Sequence, residues 1–288
     1  MPAGTPKQNK LEGWLLFQAK KWGTPTFRCL RYRSNRLYFS IKPKNVQDCP
    51  NLDTIGCMAH LTGPAKSRYV QDLFTRIAHR YDLMNRLMTA GQDIRWRREV
   101  IRRAALHPQA WLLDLGAGTG DLAREALVQQ PTARVIAADF TLEMMRAGRR
   151  PADRFAWSAA DALCLPFGTE QFDAVVSGFL MRNVIDTMAA LREQYRVLKP
   201  RGRVVILDTT RPRKNVLWPL IWLHLHVIIP GLGMLISGHR DAYTYLPDST
   251  EAFLSAENLA ARMAAAGFKQ IGYKRLMFGT ISIHWGEK

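Results

Sequence analysis

The chain of 288 residues has only four cysteines, too few for a disulfide scaffold. Cys29, Cys49 and Cys57 lie near one end and Cys164 stands alone, with no Cys-x-x-Cys pair and no Cys/His metal spacing. No metal is expected, and a reduced, cytoplasmic protein is the default. Internal repeats and low-complexity tracts are absent, which excludes solenoids and fibres. Met1 to Trp14 contains no uninterrupted apolar stretch of the secretory type. Glu12 and the strand-like runs after it argue against a mitochondrial presequence. Acidic residues are scarce: 24 Asp+Glu against 41 Lys+Arg leave a formal charge of +17. Such an excess implies nucleic acid or an anionic membrane surface as partner. Apolar residues are plentiful at 47%, so the chain buries a core rather than staying disordered. Its length suits one large α/β domain with an appendage.

Residues 1–57 read as that appendage. Ten basic residues between Lys7 and Lys44 face only Glu12, Asp48 and Asp53. Three short β-like runs, Gly13–Phe17, Thr26–Tyr32 and Arg36–Ile41, are separated by turn-forming stretches. The segment is expected to be a dispensable extension or a small β-rich unit, with Met58 a natural start for the main domain, 58–288.

From Ser67 to Ala90 apolar residues recur at three- and four-residue steps, and a second helix is expected from Ile94 to Ala105. Together they predict an N-terminal helical cap. The pattern then alternates. Strands are predicted at Trp111–Leu115, Arg134–Ala138, Phe155–Ser158, Phe172–Ser177 and Arg203–Leu207. Helices are predicted at Asp121–Gln129, Thr141–Arg149 with Thr141 as its cap, and Thr187–Leu198. Ser255–Ala266 reads as a further helix closed by Gly267. Lys269–Met277 and Thr280–Trp285 read as a closing hairpin. This is a doubly wound, mostly parallel, seven-stranded α/β sheet.

Val216–Ile236 is apolar, but Pro219, Pro230, Gly231 and Gly233 interrupt it and two histidines lie within it. It is expected to form a buried or membrane-facing helical lid rather than a span. His224 and His226 do not share a helix face, so they make no metal site.

The chemistry concentrates at three strand ends. Leu112 to Leu115 runs into Gly116-Ala117-Gly118-Thr119-Gly120, which opens a helix at Asp121. Glycines there let the backbone approach a ligand closely. The spacing is G-x-G-x-G, which is neither the dinucleotide fingerprint nor a P-loop. Asp114, at the strand end, suits the ammonium of an amino-acid ligand. Asp139, about 20 residues past the glycines, can accept from both ribose hydroxyls. Asp161 can accept from an adenine amino group, with Ala162 offering its N–H. Each acid alone reads equally well as a cap or turn former. Three at one edge of a parallel sheet point to a ligand.

That constellation resembles the S-adenosylmethionine site of class I, Rossmann-like methyltransferases. Tyr81-Asp82-Leu83-Met84-Asn85 through Trp96, and Arg196 to Arg203 continuing to Asp208-Thr209-Thr210, narrow the resemblance. So do Met181-Arg182-Asn183-Val184, Asp241 to Leu246, and Ala266-Gly267-Phe268. Together they resemble the ubiquinone/menaquinone biosynthesis C-methyltransferase family over about residues 68–286. Thr89, Asp93, Leu180 and Asp208 depart from its usual Ser, His, Gly and Glu.

The resemblance implies methyl transfer from S-adenosylmethionine to a ring carbon of a polyprenylated hydroquinone. It maps Thr119, Asp139, Asp161, Ala162 and Ser177 onto cofactor positions. It implies catalytic roles for Arg182, Asn183 and Tyr81. Arg182 read alone is equally a surface ion pair, and Tyr81 a helix-core aromatic. A lipid tail and a basic surface together imply peripheral attachment to the anionic inner face of the membrane. Homo-oligomerisation stays open. The rival readings are a methyltransferase for another lipid or small phenol, one for nucleic acid, and a non-enzymatic binding protein. Ser177-Gly178-Phe179-Leu180 lacks the Pro-Pro motif of amino-methylating nucleic-acid enzymes.

Overall fold

The computed structural model describes residues 63–212, 216, 218–231 and 240–288. By its contacts the chain divides into Met1–Thr54 and Ile55–Lys288. The expected extension and its three β-like runs lie outside the described residues.

Three helices come first: α1 (Gly63–Ile77), α2 (Tyr81–Met88) and α3 (Gln92–Ala104). One continuous helical pattern was expected across α1 and α2. A 3-10 turn at Ala78–Arg80 breaks it and lets Tyr81 open a new helix. Gly91, at φ 73°, opens α3. Inside α3, buried Asp93 pairs with Arg97 and accepts from Thr89 Oγ1 at 3.1 Å. Two of the family departures are thus partners of each other.

The alternating part follows: β1 (Trp111–Leu115), α4 (Asp121–Gln129), β2 (Arg134–Asp139), α5 (Leu142–Gly148), β3 (Ala156–Ala159), β4 (Phe172–Gly178), α6 (Thr187–Val197) and β5 (Leu198–Thr209). β5 begins earlier than predicted. The Lys199-Pro200-Arg201-Gly202 stretch belongs to it, with Arg201 at φ 64° and a register shift against β4. Thr141 caps α5 by position only, since its side chain makes no capping bond.

The remainder holds α7 (Trp218–Leu223), which runs into a π-helical turn at His224–Ile228, then α8 (Arg240–Ala252), α9 (Ala256–Ala265), β6 (Lys269–Leu276) and β7 (Ile281–Glu287). Pro219 lies in the first turn of α7, where a proline is tolerated. α8 was not predicted, because Pro247 inside it reads as a breaker. Ser255 caps α9 by accepting from the Asn258 N–H.

The sheet order is β3-β2-β1-β4-β5-β7-β6, with only β7 antiparallel to its neighbours. Order reverses between β1 and β4, so a crevice opens at their carboxyl ends. Leu113, Val175 and Ile206 fill one face of the sheet, and Leu112, Val176 and Val205 the other. A third apolar cluster joins α1 and α2 to α7 and Tyr245, above the crevice.

α5 packs against the glycine turn without a spacer. A Cβ on Gly148 would stand 2.3 Å from the Thr119 carbonyl oxygen. Gly148→Ala is expected to destabilise the fold by about 1–3 kcal/mol or more, read as a lower urea midpoint.

Candidate active site

A cleft of about 870 Å³, including its open mouth, lies at the reversal point. Gly116, Gly118, Asp139, Asp161 and Ala162 line one part, and Leu180, Asn183 and Val184 another. α1 covers it with Val70 and Phe74, and Tyr81 enters from α2.

The glycine turn is held by hydrogen bonds. Gly116 and Ala117 donate to the Ala138 carbonyl, at 2.8 and 3.0 Å. Asp139 then takes the Gly118 N–H on Oδ2 and the Thr141 N–H on Oδ1, both at 2.7 Å. Gly116, Gly118 and Gly120 have φ of 69°, 57° and 87°. A Cβ on Gly116 would meet Leu180 Cδ1 at 2.9 Å. Leu180 is therefore the family departure that touches the cleft. Asp161 faces the cleft and also forms a turn, accepting from the Leu163 N–H at 2.9 Å.

Asp114 requires a correction. It is fully buried, shares a face of β1 with Leu112, and does not line the cleft. Its Oδ2 accepts from the Ala123 N–H at 3.0 Å, at the start of α4, and its Oδ1 has no partner. Burial pushes its pKa up to about 7, while the Ala123 bond opposes the shift. Its carboxyl therefore bonds the start of α4 and lies off the cleft wall, instead of facing a ligand as the sequence predicts. Gly120 is also absent from the cleft wall. A Cβ there would strike Trp157 at 2.7 Å, so packing fixes that glycine.

Thr119 and Ser177 lie just behind the wall. The Thr119 hydroxyl donates to Asp82 Oδ1 at 2.6 Å. Ser177 Oγ is buried without a partner. Asp82 had no assigned role in the sequence, and only a long-range contact reveals it.

Of the three expected catalytic residues, Tyr81 and Asn183 line the cleft, and Arg182 is buried behind them. Arg182 Nη1 donates to Asp208 Oδ1 at 2.8 Å, and its backbone N–H to Asp208 Oδ2 at 3.2 Å. The ion pair of Arg182 is thus buried, unlike the surface pair of the alternative reading. Arg182 Nε has no partner. Asn183 donates from Nδ2 to the Phe179 carbonyl at 3.0 Å and accepts from the Tyr245 hydroxyl at 3.2 Å. Lys66 reaches over from α1 and donates to the carbonyls of Arg182 and Val184, at 3.0 and 3.2 Å. Burial lowers its pKa, and Asp208 opposes the shift. Lys66 was missed because nothing local marks it, and Tyr245, though inside the Asp241 to Leu246 motif, was given no role there.

A model described as the ubiE/COQ5 methyltransferase family matches residues 62–288. The chain belongs to that family. A curated relative from Desulfotalea psychrophila, "Ubiquinone/menaquinone biosynthesis C-methyltransferase UbiE", is 45% identical over 229 residues, covering 78% of this chain and 92% of its own. The "Demethylmenaquinone methyltransferase" of Thermus thermophilus is 44% identical over 220 residues, covering 75% of this chain and 100% of its own. Among solved structures, the [4+2]-cyclase SpnF superposes with a TM-score of 0.58 at 16% identity, covering 79% of this chain and 97% of its own. Phosphoethanolamine N-methyltransferase 2 of Haemonchus contortus, solved with S-adenosyl-L-methionine, gives 0.52 at 15%, covering 67% and 52%. These two establish the fold alone.

The family is one of methyltransferases, and S-adenosylmethionine is its methyl donor. The cleft fits that molecule. Its glycines leave no Cβ in the way, two acids face it from the ends of β2 and β3, and the Ser177 hydroxyl behind it lacks a partner.

The Asp114 carboxyl holds its proton to about pH 7 in the fold and to 3.8 when unfolded. Across that window only the folded state binds the proton, so stability falls as pH rises. Asp114→Asn is expected to remove this part of the slope. Urea midpoints at about pH 5 and about pH 8 measure it: the variant loses less between them than the parent.

Proposed function

We propose that the chain methylates a ring carbon of a polyprenylated hydroquinone, demethylmenaquinol or a ubiquinol precursor, in respiratory quinone biosynthesis. The observation that carries the reading is the buried Arg182 cation, fixed by Asp208 directly before Asn183 at the cleft wall. Burial raises the pKa of Tyr81, and that of Tyr245 to about 12, while the Arg182 charge pulls both back down. Its cation therefore offsets part of the cost of ionising a phenol there. A hydroquinone is itself a phenol. Its ring carbon becomes nucleophilic when the ortho or para hydroxyl loses its proton, and a fixed cation lowers that barrier. Arg182 serves as phenolate stabiliser, since a guanidinium stays protonated and is a poor base. Its Nε is buried and has no partner among the described residues. Asn183 positions a water that takes the proton, and Tyr81 bonds a ring oxygen.

Bound S-adenosylmethionine supplies an already activated methyl group, so the chain mainly aligns the two reactants. In this reading Asp139 receives the ribose hydroxyls, and Asp161 and the Ala162 N–H read the adenine. Thr119 and Ser177 complete the methionine end. The names of the two curated relatives support the acceptor class. Assay with S-adenosylmethionine and short-chain demethylmenaquinol is expected to yield menaquinol by mass spectrometry. Methylation of a phospholipid amine or simple phenol, with neither quinol methylated, overturns the reading. Arg182→Ala is expected to cut turnover about 10²–10³-fold with S-adenosylmethionine binding unchanged; near-normal turnover removes its role.

The same reading includes peripheral attachment to the inner face of an anionic membrane. No helix among the described residues is long and apolar enough to cross one. Ile221, Leu225 and Ile229 pack inward, whereas Leu220, Trp222, Leu223, Val227 and Ile228 are exposed on the same segment. A segment apolar on both sides suits the headgroup boundary, and the basic charge adds roughly 1 kcal/mol per suitably placed Lys or Arg. Cosedimentation is expected with anionic vesicles and reduced by salt, and Trp222→Asp weakens it. Equal binding to neutral and anionic vesicles argues against the electrostatic part.

A further inference from the structure

The methyl donor carries an α-ammonium, and the acid that the sequence offers for it, Asp114, is sealed behind β1. Another carboxylate takes its place at the turn. Asp82 follows Tyr81 in the first turn of α2, and Tyr81 Cε1 lies 4.0 Å from the position of a Cβ on Gly118. Asp82 Oδ1 accepts from Thr119 Oγ1 at 2.6 Å, which holds the carboxylate against the glycine turn. Among the described residues its Oδ2 accepts no hydrogen bond and no Lys or Arg forms an ion pair with it. Neighbouring Asp121 differs, with Arg97 and Arg124 each 3.5 Å away.

Asp82 is thus half-buried and fixed with Thr119 just behind the cleft wall, without an ion pair of its own, while Arg97 and Arg86 act on it from farther off. Its pKa is raised, chiefly by burial and further by Asp121, while the Thr119 hydrogen bond and the charges of Arg97 and Arg86 oppose the shift. A half-buried carboxylate in that condition is relieved by a positive charge that brings its own N–H donors. We infer that Asp82 is the acceptor for the α-ammonium of the methyl donor, with Thr119 holding it in position. The inference concerns the donor alone and stands whatever the methyl acceptor is.

Two ligands separate this role from a purely structural one. S-adenosylhomocysteine carries the ammonium, whereas 5′-methylthioadenosine lacks the whole amino-acid end. Asp82→Asn keeps an oxygen for Thr119 and removes the charge. Calorimetric titration of the full chain is expected to show about ten- to hundredfold weaker S-adenosylhomocysteine binding in the variant. Methylthioadenosine binding is expected to stay within about twofold, which also reports that the cleft is intact. An equal loss for both ligands makes Asp82 a brace for the turn and overturns the inference. No loss for either overturns it as well.

Discussion

The buried ion pair between Arg182 and Asp208 ties together the reacting end of this molecule. Asp208 belongs to the end of β5, and it holds both the guanidinium and the backbone of Arg182. The loop fixed in this way presents two carbonyls to Lys66 of α1 and one side chain to Tyr245 of α8. Sheet, cap and apolar subdomain therefore meet at one charge pair. Such a pair gains little over a well-packed apolar core, but losing one partner strands a buried charge. Its value here is geometric: it fixes the loop that brings Asn183 to the cleft.

The glycine turn is organised by a second carboxylate. Asp139 closes the turn with two backbone N–H bonds and also faces the cleft. Asp114 performs a related service from the far side of β1. One acid of the three is thus structural, and alternation along the strand distinguishes it. Leu113 and Leu115 share one face, Leu112 and Asp114 the other. The period-two pattern was readable in the sequence, but the strand-end position drew attention instead.

Most of the sheet was legible, because apolar strands bounded by glycines and capped helices carry local signals. β1 and α4 fall where their patterns end. The misses have physical causes. Pro247 disguises α8, whose cost is met by tertiary packing around Tyr245. Arg201 adopts a positive φ inside β5, in a stretch that reads as a turn. The break between α1 and α2 leaves the apolar spacing untouched. At the site, Tyr81, Asn183, Asp139, Asp161 and Ala162 were found by motif and do line the cleft. Asp82, Lys66 and Tyr245 act across more than thirty residues of chain; Asp82 and Tyr245 lie within the family motifs, but the motifs do not show what they touch, and Lys66 lies in none. The departures also sort themselves. Thr89 and Asp93 satisfy one another away from the cleft, while Leu180 narrows the cleft itself.

The turn closed onto Asp139 has one more consequence, for discrimination between donor and product. Its N–H groups are already committed before any ligand arrives, so little ordering accompanies binding. A rigid cradle of this kind grips the parts that methyl donor and spent product share. Only the methyl and its sulfonium charge differ between them. In the proposed reading the turn itself therefore does not tell fresh donor from spent product, and any discrimination falls to the groups around the sulfonium.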